Sequence, residues 1–138
     1  MAQDMADDIW ERFEAIEECY EFMLAYAAQG LTNDKGSESG RLIRESLNRA
    51  VEALSGLAGS CAAAATQGDR FEAFLSVLDR DAQDSLAAME LVLGQPSISS
   101  QLIDNLNASV HLRALLTDVF LLGEVFRMQR ATALIALS

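Results

Sequence analysis

Few side chains in this chain are equipped for chemistry. His111 is the only histidine, Cys19 and Cys61 are the only cysteines, and carboxylates abound, with 21 Asp and Glu against 10 Lys and Arg. Nucleophilic catalysis requires a base held against a Ser or Cys. Cys19 would have to meet His111 from a distant part of the chain, and its neighbours Glu18 and Glu21 raise a thiol pKa rather than lower it. A di-metal site in a helical bundle draws Glu from two helices and Glu-x-x-His from two more. One histidine, with no Glu-x-x-His, cannot supply that set. A carboxylate-only variant built from Glu17, Glu52, Asp84 and Asp118 is the remaining metal arrangement on offer. No glycine-rich phosphate loop is present. We therefore assign no catalytic, cofactor-binding or metal-binding residue, and no cofactor. The chain reads as a non-enzymatic interaction protein (an adaptor, small chaperone or accessory subunit) acting through helix–helix contacts. The competing reading is a helical bundle that binds a metal or an apolar small molecule, with an unusual carboxylate-based enzyme as its extreme form.

Composition bounds what such residues can be mounted on. A hydrophobic share of 51%, a single proline and sparse aromatics in 138 residues favour one all-helical domain spanning 1–138. The net charge of −11 argues against nucleic acid and against anionic membrane surfaces, since both require clustered Lys and Arg. Two isolated cysteines make no disulfide framework, which points to a reducing compartment. The acidic N-terminus lacks the basic region of a signal peptide, and Asp118 and Glu124 interrupt the best apolar run. A soluble, cytoplasmic protein is the expectation.

Periodicity then places the elements. Ile9, Phe13, Ile16, Tyr20, Met23 and Ala27 share one face of a first helix from about Asp4 to Gln29, with Asp4, Asp7, Asp8 and Glu11 at its dipole-favoured start. A polar loop over 32–40 offers Ser37 or Ser39 as an N-cap. A second helix runs to Gly68, burying Leu47, Val51, Leu54, Ala58, Cys61 and Ala65. Its second stripe is small: Ser46, Ala50, Ala53, Gly56, Ser60 and Ala63. That stripe admits either a closely packed neighbour or a ligand between helices. Asp69 to Glu72 resembles a capping box and opens a third helix with Phe71, Phe74 or Leu75, Leu78, Ala82, Leu86, Met89 and Leu93 inward. Gly30, Gly68 and Gly94 are expected as left-handed helix stops. Asn105, Asn107 and Ser109 are poor helix-interior residues. They predict a short helix from Ser99 to Leu106, a break, and a long helix to Leu137. The expected fold is an up-down antiparallel four-helix bundle with a short extra helix before the long C-terminal one.

The last helix is also where a partner is expected. From Ala114 to Phe126 apolar residues cover more of its circumference than one core-facing stripe needs, and the tail from Ala131 to Leu137 has no charge. Leu116, Phe120, Leu121, Leu134 and Ile135 are the candidate interaction residues, sealing a homodimer or higher oligomer. A hetero-complex is the alternative. Glu14, Glu17, Glu18 and Glu21 form a ridge on the first helix with only Arg12 nearby, either solvated or docking a basic protein. Asp118, set among leucines, either lies on a narrow exposed stripe beside Arg113 or Thr117 or is buried against an arginine such as Arg41, Arg44 or Arg49.

Overall fold

The computed structural model describes residues 2–64 and 68–137, with side chains from residue 7 onward. Among these residues the chain is all-α, with six helices and no strand. Helix α1 spans Ala2–Ala27, α2 Glu38–Leu54, α3 Leu57–Ala64, α4 Asp69–Leu93, α5 Ser100–Ala108 and α6 Val110–Leu137. No helix among the described residues is long and apolar enough to cross a membrane.

The expected face of α1 is the buried one, since Ile9, Phe13, Ile16 and Met23 are all at most 2% exposed. Cys19 and Tyr26 join them, while Tyr20 is only partly covered. Gly30 (φ +66°) turns the chain out of the helix and Leu31 folds back onto the core. Of the two candidate caps, Ser37 and not Ser39 caps α2, its hydroxyl accepting from the Gly40 amide at 3.0 Å.

The second helix is not continuous. It breaks at Ser55–Gly56, where Gly56 adopts φ +78° and both the amide and the hydroxyl of Ser55 return to the Val51 carbonyl. What holds the break is Arg12, the single base of α1. Its guanidinium donates to the carbonyls of Ala53 (3.0 Å) and Ser55 (2.8 Å), the groups that a helix C-terminus leaves unpaired. The small stripe divides accordingly. Ser46, Ala50 and Ala53 are buried and let α1 and α2 lie close together, whereas Gly56 and Ala63 are exposed. Ala65 lies outside the described residues.

Helix α4 departs from expectation at both ends. Gly68 is its N-cap in an extended conformation (φ 179°), without a side-chain cap, so Asp69 is the first helical residue and not the cap of a capping box. Gly94 ends the helix in the right-handed region (φ −73°), its amide donating to Glu90 at 2.9 Å. Of the three glycine stops, only Gly30 is left-handed. The α5–α6 division falls where the asparagines and Ser109 place it, with Ser99 capping α5 and Ser109 separating the two helices.

Helix α1 runs antiparallel to α2, as the pairs Arg12–Ser55 and Glu18–Arg49 show. Helix α4 runs antiparallel to α6, Ser85 donating to the His111 carbonyl at 2.9 Å and Phe71 meeting Phe126 with ring centres 6.0 Å apart. Both α1 and α4 pack against the α2–α3 segment and against α5–α6, and the buried apolar residues form one cluster between them.

Candidate interaction site

Helix α6 carries two faces. Leu112, Leu115, Leu116, Val119 and Leu122 point into the core, each at most 7% exposed. Leu116 is therefore core, not surface, which removes it from the candidate interaction residues. The outward face is also apolar: Leu121 is 53% exposed, Val125 37%, Met128 61% and Ile135 74%. These residues recur at spacings of four, three and seven, the a/d repeat by which one helix seats a second. Phe120 and Leu134 are exposed on the adjoining flank.

The end of α6 adds to this surface. Phe126 stacks on Phe13 (6.2 Å), and Arg127 lies 5.2 Å above the Trp10 ring. The Phe71–Phe126 contact is two residues from the start of α4, so the last ten or so residues of α6, about 15 Å of helix, run past the N-terminal end of α4. From Arg130 to Leu137 every residue is exposed.

The acidic ridge of α1 is less uniform than its sequence suggests. Glu14 and Glu21 are exposed, Glu17 is half-buried, and Glu18 pairs with Arg49 of α2 at 3.0 Å. Arg12 turns away to Asp8 and the α2 terminus.

Asp118 is buried, 5% exposed, so it does not lie on an open stripe. Nor does it meet an arginine, because Arg41 pairs with Glu38 and Glu45, Arg44 with Asp34, and Arg49 with Glu18. Its neighbour is Asp81 of α4, and burial first, then Asp81, raises the Asp118 carboxyl to about 7. The four carboxylates of the metal arrangement do not converge, and among the described residues no group of three His, Cys, Asp or Glu is placed to hold a metal. His111 instead faces Asp84, Nδ1 to Oδ2 at 3.9 Å.

Both cysteines are buried thiols. Burial raises Cys19 to about 11 against the opposing pull of Ser46 and Arg49, and raises Cys61 to about 12. Desolvation, not the flanking glutamates, is what raises the Cys19 thiol.

Sequence reasoning missed the densest polar cluster. Asp34, 6% exposed, accepts from the Arg44 guanidinium and from the Ile98 amide (2.7 Å). Arg44 also donates to the carbonyls of Leu93 and Gln95 at the end of α4. The Tyr26 hydroxyl donates to Ile98 at 2.6 Å, and Ser100 donates to the Tyr26 carbonyl and accepts from the Leu31 amide. The cluster ties the loop after α1 to the loop after α4. The Arg44 hydrogen bond is the main reason the Asp34 carboxyl is held down to about 2. A loop aspartate ten residues before an arginine carries no periodic signal, so nothing in the sequence marks it.

One small pocket has mixed chemistry. About 250 Å³ in volume, it is lined by Tyr20, Asn107, Arg113, Leu116, Thr117 and Phe120, and the buried Oδ1 of Asn107 has no hydrogen-bond partner among the described residues.

No family model matches the chain, and no curated protein or solved structure is significantly similar to it.

Proposed function

We propose that this is a non-enzymatic interaction protein whose working surface is the outward face and projecting end of α6, and that its partner there is a second copy of the chain. The six helices are read as an up-down bundle of four rods, with α2–α3 and α5–α6 as the broken ones, and the whole chain as one domain. The exposed repeat Leu121, Val125, Met128 and Ile135 carries the proposal. Its spacing is that of a seam between helices, and its contiguous apolar area is of the kind that marks association sites. Charge favours a second copy as the occupant. Two acids and three arginines leave α6 nearly balanced in a chain of net charge −11. Two copies joined α6 to α6 keep the strongly acidic α1 ridges apart, and two-fold closure is the commonest assembly of soluble proteins.

Sedimentation equilibrium at micromolar concentration tests this. The expected mass is twice that of one chain, falling to the monomer in Leu121→Asp. A wild-type monomer across that range refutes self-association.

A second reading, small-molecule binding, is supported by the pocket at Asn107 and Arg113. There an unpaired carbonyl oxygen and a guanidinium sit beside two aromatic rings. Retention of a stoichiometric small molecule in native mass spectrometry, lost in Arg113→Ala, would favour it.

A further inference from the structure

Asp118 presents an unusual problem of pairing. Its residue is 5% exposed, its Oδ2 is completely buried, and no donor among the described residues reaches that atom. The polar group lying against it is the carboxyl of Asp81, across the α4–α6 contact. Two ionised carboxylates offer only acceptors, so this arrangement repels unless one proton lies between them. We propose that Asp81 and Asp118 form a proton-sharing carboxyl pair that clamps α6 onto α4 and opens when the proton is lost.

The surrounding charges leave the pair without a compensating cation. From α4 the neighbouring acid is Asp84, already facing His111 of α6 at 3.9 Å. Helices α1 and α5, which also pack on α6, bring no charged group to bear on Asp118 among the described residues. On α6 itself Arg113 lines the pocket beside Tyr20, and Arg127 lies over Trp10. Ionisation therefore places a bare carboxylate in an apolar contact, with Leu115, Val119 and Leu122 of the same helix all buried around it.

The direction follows from linkage. An ordinary aspartate gives up its proton near 3.8, whereas Asp118 in the folded chain keeps it to about 7. Between those values the folded state binds the extra proton. The stabilisation is complete below about 3.8 and is lost as pH rises through 7. The pair lies on the α4-facing side of α6, so the inference holds whether or not the outer face binds a partner.

Carboxyl ¹³C NMR of the full chain reads the pair directly. Asp118 is expected to titrate near neutrality, and Asp81→Asn, which supplies an amide donor in place of a rival carboxylate, is expected to move that titration towards the ordinary carboxylate range. Denaturant midpoints give a second reading. The wild-type midpoint should fall between pH 5 and pH 7 and level off above that. Asp118→Asn should abolish that fall, and His111→Gln, which removes the other polar pair of this contact, should retain it. Titration of Asp118 below pH 5 would overturn the proposal, as would parallel falls in wild type and Asp118→Asn. Stabilisation by Mg²⁺ or Ca²⁺ at pH 8 that wild type shows and Asp118→Asn lacks would also overturn it, in favour of a cation site.

Discussion

Gly40 has a buried backbone position because nothing larger fits there. A Cβ on Gly40 would come 1.8 Å from the carbonyl oxygen of Asp34, a backbone atom that cannot swing aside. Gly40→Ala should destabilise by about 3 kcal/mol, the upper end for overpacking, visible as a lower denaturant midpoint at unchanged slope. Gly30 is constrained differently, by a φ of +66° with open space around it. Gly30→Ala is expected to cost about 1 kcal/mol from backbone strain alone. Gly68 has neither constraint, and as an extended N-cap without a side-chain hydrogen bond it admits improvement. Gly68→Ser should raise stability by a few tenths of a kcal/mol, in the same denaturation assay. Gly30 and Gly68 look alike in the sequence, each after a helical run, while Gly40 closes a polar loop. Conformation separates them, and conformation depends on what each residue meets in space.

At the scale of elements, two arginines act as helix terminators. Arg12 supplies α2 with donors its own C-terminus lacks, and Arg44 does the same for α4 while holding Asp34. Arg12→Met keeps most of the apolar stem and removes the donors. The expected cost is about 2 kcal/mol, within the range for hydrogen bonds to charged groups, and amide exchange should accelerate around the Ser55–Gly56 break more than in α4. The Asp34 pair predicts an acid limb. Because the Asp34 carboxyl is depressed to about 2, it contributes stability above its ordinary 3.8, and this is lost as pH falls through 2. Asp34→Asn should flatten the stability profile between pH 4 and 2 and lower the plateau above it, as measured by thermal unfolding across that range. Equal acid limbs in the two proteins would contradict the assignment.

For the molecule as a whole, the question is where the core ends. Residues 129–137 are at most half-buried, so they contribute little to the cluster between α1 and α4. Removing residues 129–138 should leave monomer stability within about 0.5 kcal/mol, as for substitutions outside the core. If α6 seals a dimer, the full chain's unfolding midpoint rises with protein concentration and that of the shortened chain does not, since only association makes stability depend on concentration. The buried thiols give a global probe in the same experiment. Cys19 and Cys61 should react with a thiol reagent at the rate of unfolding, and both should react fully without reductant once the chain is unfolded.

The helical class, the buried face of α1, a serine cap before α2 and the division of the last segment before Val110 were all determined by the sequence itself. Each rests on interactions within one turn of helix or on a spacing of three and four residues, and both are written directly in residue order. The break at Gly56, the role of Arg12 and the company of Asp118 were decided only by tertiary structure. An internal glycine costs a continuous helix only about 1 kcal/mol, so its presence alone does not mark a break. Here a guanidinium forty residues away accepts the task of satisfying the freed carbonyls. Asp118 among leucines signals an unusual carboxylate, but whether it meets a cation or another acid depends on which turn of α4 packs opposite. That register is set by the summed fit of Phe71, Leu78, Ser85 and their neighbours against α6, and no local pattern encodes it.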